Sequence, residues 1–346
     1  MPIIQHCFRP AWWLNNPHLQ TLYPALLRKP PPLRRKRERL STPDGDFIDL
    51  DWYGENRGVI VILLHGLSGS SKSGYIIGLQ RTLQQNGFAS VAMNFRGCSG
   101  EPNRLARCYH SGETEDIDLV YRTLIQRYPK AIFAAVGFSL GGNVLLKWLG
   151  EQGGKAGLSA AVAVSVPLLL NECATKLDNG FSRVYRKHLL DELKRYMRVK
   201  QRFLQVNGLE TEADKLVRLG NLADIQSFWQ YDDRVVAKLH GFKDVHDYYR
   251  RSSSRQFLSK IRVPTLVIQA VDDPFMTPAV LPAADELAPQ VQLEVCSGGG
   301  HVGFVASRNR YRADYWLEQR IPLFFRKYLP DSGHCAELEQ GGLTSL

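Results

Sequence analysis

Residues 131–143 read AIFAAVGFSLGGN. An apolar run, 131–136, stops at Gly137. Phe138, Ser139, Leu140, Gly141 and Gly142 follow, and Asn143 opens NVLLKWL, which reads as a helix. Gly-x-Ser-x-Gly arises by chance in many chains. Its setting between a buried strand and a helix is what marks it as a nucleophile elbow. A serine hydroxyl is a poor nucleophile and must be held exposed on a strained turn. Gly137 and Gly141 let strand and helix close on either side of Ser139. The helix start then aims free N–H groups and a positive dipole end at the reaction centre. The N–H of Leu140 is expected to be one oxyanion-hole donor. The competing reading is a glycine-rich strand-to-helix turn with no chemistry, so the rest of the chain must decide.

At 346 residues the chain can form one large α/β domain with an insertion, or two domains. Its 44% hydrophobic and 23% charged residues suit an ordinary globule. No stretch approaches the ~18 apolar residues of a membrane span. The longest, 160–170, is interrupted by Ser165 and Pro167. MPIIQHCFRPAWW at the start has no charged region leading into an apolar core, so a secretory signal is not expected. A cytoplasmic location is the default. Cys7, Cys98, Cys108, Cys173, Cys296 and Cys335 are scattered without a CxxC pair, which suggests neither zinc nor a thiol redox site. Reduced thiols are expected.

The formal charge of +10 raises the question of a polyanionic partner. Much of it sits in 28–39, including Arg34, Arg35, Lys36 and Arg37. That run lacks the aromatic interleaving or recognised fold of a nucleic-acid site, so no specific nucleic acid is expected. A solvated face, or weak attraction to acidic lipid head groups, is the better reading.

Residues 1–33 read as an N-terminal arm. Trp12, Trp13, Leu14, Leu19, Leu22, Tyr23, Leu26 and Leu27 recur at roughly helical spacing, with Pro17 breaking the run. The arm either packs on the core or lies at a membrane surface, a peripheral contact that Trp-rich apolar faces beside basic residues can make. Residues 39–41 and Phe47–Tyr53 flank Thr42-Pro-Asp-Gly-Asp46, a turn sequence that predicts a β-hairpin. Val59–Leu64 predicts a buried parallel strand ending in His65-Gly66-Leu67. A helix at about 75–86, a strand Ala89–Met93, a helix 113–126, the elbow and a strand 158–166 follow. Strands alternating with helices predict a mostly parallel, doubly wound sheet.

That rhythm breaks after Pro167. The stretch 171–259 is charged and helix-rich, too long for a loop, and predicts an inserted helical cap. Strands resume at 263–269 and 291–295, with a helix around 283–287 and a closing amphipathic helix at 315–328. The expected organisation is an arm (1–38), a core (39–170 and 260–330), the cap (171–259) and a frayed tail (331–346).

A serine nucleophile needs a base, and the base an orienter. Ligands gather at the carboxyl ends of strands in such sheets. After 263–269 comes Ala270-Val-Asp-Asp-Pro274, and after 291–295 comes Cys296-Ser-Gly-Gly-Gly-His301. Ser139, Asp273 and His301 thus fall in the Ser…Asp…His order of α/β hydrolases. His301 is the best of the nine histidines, being in a glycine-rich loop after a strand; His110, before a helix, reads as structural. Asp272 and Asp273 compete for the orienter, and Asp273 is preferred. The second oxyanion donor is expected from the N–H of Leu67, with Gly66 permitting close approach. His65 either shapes that loop or is a satisfied core histidine.

These residues resemble the YheT-like esterase family of the α/β hydrolases, a branch that also includes eukaryotic membrane-associated lipid hydrolases. The resemblance covers nearly the whole chain. It rests on NPHLQT from Asn16, His65-Gly66-Leu67, NFRGCSGEPNR from Asn94 and YHSGETED from Tyr109. GFSLGGN from Gly137, GFSRVY from Gly180, DDPFM from Asp272 and GGHVGF from Gly299 extend it. It implies a serine hydrolase with the triad Ser139, Asp273 and His301, acting on short- or medium-chain acyl esters. The run Arg34–Arg37 is not part of it.

The expected function is therefore carboxylic ester hydrolysis of a small-molecule acyl ester, without metal or cofactor. The nearest alternative is acyl transfer to an alcohol through the same acyl-enzyme. Rivals of another class are a non-catalytic protein on the same fold and an anionic-surface binder driven by the basic arm. The cap, through positions such as Phe181, Val184, Tyr185, Leu189 and Leu190, is expected to lie over Ser139 and line an acyl pocket.

Overall fold

A computed structural model describes residues 2–6, 8–30, 32–55, 58–309 and 311–330. The expected frayed tail, with His334 and Cys335, lies outside the described residues, as does Cys7. In chain order the strands of the main sheet are β1 (Ile3–His6), β2 (Lys36–Ser41), β3 (Phe47–Tyr53), β4 (Val59–Leu64), β5 (Ala89–Met93), β6 (Ile132–Phe138), β7 (Ala160–Val164), β8 (Thr265–Ala270) and β9 (Val291–Cys296). The helices are α1 (Pro17–Leu27), α2 (Gly74–Gln85), α3 (Glu115–Arg127), α4 (Leu140–Gln152), α5 (Leu170–Leu177), α6 (Ser182–Val206), α7 (Glu210–Val217), α8 (Phe228–Tyr231), α9 (Lys238–His240), α10 (Val245–Ser252) and α11 (Trp316–Phe325). A short hairpin, β10 (Val305–Asn309) and β11 (Arg312–Tyr315), stands apart from the sheet.

The sheet order is β1-β9-β8-β7-β6-β4-β5-β3-β2. All pairings are parallel except β2 with β3 and β3 with β5. β4 shows why both faces are covered. Val59, Val61 and Leu63 point to one face, where α2 and α11 pack. Ile60, Ile62 and Leu64 point to the other, against α3 and α4. Each such burial stabilises by about 1.5–3 kcal/mol. β4 alone therefore outweighs the roughly 1–3 kcal/mol of a strained residue held at the end of its neighbour β6.

The N-terminal arm departs from expectation. Ile3–His6 adds a parallel edge strand beside β9, with Ile3 opposite Leu293. Four residues, Ile-Ile-Gln-His, are too short a signal to read in a sequence. Pro17 does not break a helix but starts one. It occupies the first turn, where a missing N–H costs nothing, and Asn16 Oδ1 accepts from His18 N at 2.9 Å and Leu19 N at 3.3 Å. The region 283–287 forms only a 3₁₀ turn, Ala284–Glu286.

The basic run also differs. Lys36 and Arg37 already belong to β2, which starts earlier than expected. Arg37 grips Asp51 with two hydrogen bonds of 2.9 and 2.7 Å, and Arg39 grips Asp49 with two of 2.8 Å. Arg35 donates to Ser71 O at 2.5 Å. The side chains of Asp49 and Asp51 are buried, so these arginines neutralise carboxylates of β3.

After β7 the chain leaves the carboxyl end of the sheet. It returns at β8 only after α5 to α10, which share an apolar core of their own including Leu177, Leu193, Met197, Leu216, Phe228 and Tyr248. On α6 the buried residues Tyr185, Leu193, Met197, Lys200 and Leu204 recur every three to four or seven to eight residues, the single face such a helix presents to a neighbour. Among the described residues, no helix is long and apolar enough to cross a membrane.

Candidate active site

Ser139 joins β6 to α4 with φ 50° and ψ −120°, a conformation that non-glycine residues rarely hold. The flanking glycines permit it. A Cβ on Gly137 would collide with the Gly141 carbonyl. One on Gly141 would lie 2.5 Å from His65 O and 2.6 Å from Leu64 O. Strand, turn and helix therefore pack backbone to backbone, and the start of α4 is pressed against the end of β4.

His301 Nε2 lies 2.9 Å from Ser139 Oγ, and His301 Nδ1 lies 2.8 Å from Asp273 Oδ2. Asp273 has a side chain 2% exposed, and its Oδ1 accepts from Phe275 N at 2.8 Å. The Phe275 ring stacks on the His301 imidazole at 4.0 Å and 2°. The imidazole is thus fixed by a carboxylate at one edge and an aromatic plane on one face. Asp272, the competing carboxylate, sits elsewhere: its Oδ1 accepts from Gly300 N at 3.0 Å. Burial raises its pKa above the usual value despite that bond.

The loop after β4 runs beside Ser139. Added to Gly66, a Cβ would reach within 3.2 Å of Ser139 Cβ. Three anchors hold the loop: His65 Nε2 accepts from Phe95 N at 3.1 Å, Gly66 N donates to Tyr75 Oη at 2.9 Å, and Ser68 N donates to Tyr109 Oη at 2.9 Å. His65 Nδ1 donates to Gly66 O at 2.8 Å, and burial pushes its pKa down to about 4. His65 is therefore a neutral, satisfied core histidine that also shapes the loop, so the two readings offered for it coincide. Within residues 66–69, the N–H groups of Gly66, Ser68 and Gly69 have acceptors, and that of Leu67 has none among the described residues. The Leu140 N–H opens α4, where the helix provides no acceptor of its own.

Sequence reasoning missed the supports behind His301. Its backbone N–H donates to Thr21 Oγ1 at 2.9 Å, and Thr21 Oγ1 donates to Pro17 O at 2.7 Å. Gln20 Oε1 accepts from Val305 N at 2.7 Å, and Gln20 Nε2 donates to Val305 O and Leu14 O. Ser165, at φ 51° just past β7, accepts from Val302 N at 3.0 Å. The available signal was the polar pair Gln20-Thr21 inside an otherwise apolar arm. Asn143 was quoted but given no role. It is fully buried, donates to Ser111 O and Ser252 O, and accepts from Ser254 N, tying α4 to the end of α10.

A cavity of about 640 Å³ opens onto Ser139 and His301. Its apolar walls come from α1 (Leu22, Leu26) and from the segment after β7 (Leu170, Leu177, Leu189, Leu193). Of the cap positions expected to line it, Tyr185 and Leu189 do. Phe181 and Val184 do not: they are 51% and 55% exposed, and Phe181 lies against His18. Leu190 is turned into the cap's own core. Val184 lies about 100° around the helix from Tyr185, whereas Phe181 precedes the helix and packs beside Tyr185 and His18, outside the cavity.

Elsewhere, His110, Glu113 and His240 bring ligand-type atoms within 4.8 Å of one another. This set fits a metal poorly. Arg107 already holds Glu113 at 2.7 Å, and Gly112 N donates to His110 Nδ1, the atom whose proton a metal on Nε2 would require. Burial lowers the pKa of both imidazoles, that of His240 to about 3. The described cysteines, Cys98, Cys108, Cys173 and Cys296, are free thiols, all pushed up by burial.

Residues 59–306 match the α/β-hydrolase-fold family. The chain is 41% identical to the Escherichia coli (strain K12) protein named "Putative esterase YheT", covering 93% of this chain and 94% of that protein. It is 29% identical to the human phospholipase ABHD3, covering 88% and 75%. The solved Pyrococcus furiosus esterase Pf2001 superposes with a TM-score of 0.54 over 95% of this chain and 99% of that one, at 16% identity. That last likeness speaks to fold alone.

Proposed function

The chain belongs to the YheT-like branch of the α/β-hydrolase family, an esterase- and lipase-type group, and on that footing we propose that it is a serine hydrolase of short- to medium-chain carboxylic esters. The observation that carries the reading is the unbroken line Asp273–His301–Ser139, at 2.8 and 2.9 Å, ending at a helix start in an apolar cavity. Ser139 Oγ attacks the acyl carbonyl carbon while His301 Nε2 takes its proton. The oxyanion accepts from the N–H groups of Leu67 and Leu140. His301 then protonates the leaving alcohol as the ester C–O bond breaks. Water attacks the acyl-enzyme, again losing its proton to His301, and that proton returns to Ser139 as the acid leaves. Asp273 keeps the imidazole in the tautomer that places a lone pair toward Ser139. Each step balances without metal or cofactor.

In this reading residues 171–259 act as a cap whose inner face sets acyl length. We also propose a cytoplasmic protein in peripheral contact with membrane. On α1, Leu19, Leu26 and Leu27 are 48%, 73% and 64% exposed, and Leu26 also borders the cavity. Such residues beside Lys29 suit a lipid surface better than bulk water.

The deciding experiment is a fluorophosphonate probe with an acyl-length series of model esters. Ser139→Ala must lose both labelling and turnover; a labelled Ser139→Ala protein would end the proposal. Adding an alcohol to the assay and analysing products shows whether acyl transfer competes with hydrolysis.

A further inference from the structure

The cavity wall is not wholly apolar. Asp232 opens a π-helical turn, Asp232–Ala237, between α8 and α9, and lines the same cavity as Ser139. Turns of this kind recur at functional sites because they swing one side chain out of helical register. Asp232 Oδ2 accepts the Tyr249 hydroxyl at 2.7 Å. Among the described residues no other hydrogen bond and no cation reaches this carboxyl. Burial pushes its pKa up to about 7, and its charge is felt by Tyr231, Tyr248 and Tyr249. The ring of Tyr196 borders the same cavity, while its hydroxyl is sealed beside Gly97 and has no partner among the described residues.

A pocket for plain hydrocarbon gains nothing from these groups. Asp232 is half-buried, and holding a carboxyl on a largely apolar wall costs free energy that Leu or Phe at position 232 would avoid. The unused capacity is Asp232 Oδ1. Near neutral pH the carboxyl is divided between acid and carboxylate. A hydroxyl satisfies both forms, donating to the carboxylate and accepting from the acid. An ammonium satisfies only the carboxylate and must shed its own hydration to enter.

We propose that Asp232, held by Tyr249, reads a hydroxyl on the substrate, so that the preferred ester carries a hydroxyl in the portion lodged beneath the cap. This rests on Ser139 being the nucleophile. The hydroxyl can belong to the acyl or the alcohol part, and matched substrates separate the two. One arm compares 4-nitrophenyl esters of a medium-chain acid with and without a hydroxyl at C3 or at the far end. The other compares the glycerol monoester with the propyl ester of one acid. The readout is the ratio of kcat/KM within a pair, which does not depend on the amount of folded enzyme.

The hydroxylated member should win by about tenfold or more in one arm, the worth of one buried hydrogen bond. Asp232→Leu should bring that ratio close to one, and Asp232→Asn, which still donates and accepts, should keep most of it. Should Asp232→Leu fail to fold, Tyr249→Phe must lower the ratio severalfold. No preference in either arm, or a ratio unchanged in Asp232→Leu or in Tyr249→Phe, overturns the proposal. So does a choline ester that outruns its hydroxylated counterpart and loses its lead in Asp232→Asn, because the carboxylate would then read a cation. Fluorophosphonate labelling of each protein keeps the two readings apart. Labelling that survives Ser139→Ala removes the nucleophile, whereas normal labelling with an unmoved ratio removes only the role of Asp232.

Discussion

The backbone N–H of His301 donates to the side chain of Thr21, so the N-terminal helix holds the loop whose imidazole faces Ser139. Thr21→Val keeps the shape and removes the acceptor. An unsatisfied buried N–H costs about 1–3 kcal/mol, and the loop will shift to recover it. The expected result is a fall in kcat of about tenfold or more with little change in KM, restored by Thr21→Ser. Equal losses in Thr21→Ser and Thr21→Val would show that the hydroxyl does not position the ring.

Asp273 and Asp272 are adjacent, yet only Asp273 reaches the imidazole. Asp273→Asn should lower kcat by on the order of 10⁴, as when a triad carboxylate is neutralised. Asp272→Asn removes an acceptor for Gly300 N and should cost only about tenfold. Measured kcat values in the opposite order would transfer the orienting role to Asp272.

Gly141→Ala puts a methyl group 2.5 Å from His65 O and 2.6 Å from Leu64 O, both backbone atoms that cannot turn aside. α4 must move away from β4, carrying Ser139 with it. Soluble yield, Tm and probe labelling should all fall. Gly154→Ala is the control, since nothing lies within 4 Å of its added Cβ. A Gly141→Ala protein with unchanged Tm and labelling would contradict the packing described at the elbow.

Asp232 sets a pH dependence of stability. Its pKa is about 7 when folded and near the ordinary 3.8 when unfolded. Between these values the folded state binds more protons, so stability declines as pH rises through about 4 to 7, by at most about 1.4 kcal/mol per pH unit. Asp232→Asn abolishes that slope. In urea melts the variant should gain on the parent protein at pH 8 relative to pH 5. Parallel pH curves for the two would show that Asp232 titrates normally.

Leu177 and Leu193 line the cavity, whereas Phe181 and Val184 face solvent. Leu177→Phe or Leu193→Phe should shorten the preferred acyl chain while Ser139 still labels. Phe181→Ala and Val184→Ala should leave the length profile where it was. A length optimum that moves with Phe181 and stays put with Leu193 would place the acyl chain outside this cavity.

Much of this architecture was legible before any coordinates. β4, β5 and β6 announced themselves as largely apolar runs closed by glycine or a turn, since a strand buried on both faces has little polar side to confuse it. The order Ser139, Asp273, His301 was legible for a related reason: each follows such a strand. β1 was not, because four residues carry no period and their partner β9 lies near the far end of the chain. The pairing of Arg37 and Arg39 with Asp51 and Asp49 was hidden too, as charge runs say nothing about what lies across a ladder. The roles of Gln20 and Thr21 depend on a loop some 280 residues away, and only the folded chain brings the two together.

The edge strand β1 has a consequence for how the protein is made. Ile3–His6 leaves the ribosome long before its partner Val291–Cys296. Thr21 likewise waits for the His301 loop. Early-translated residues must remain unpaired while the central strands assemble, a long-range closure that is slow and leaves an apolar segment open to wrong partners. A polypeptide interrupted before residue 291 would carry Ser139 on a finished elbow with nothing to take its proton. Under the proposed triad, the elbow stays inert until the 162 residues separating Ser139 from His301 have been made.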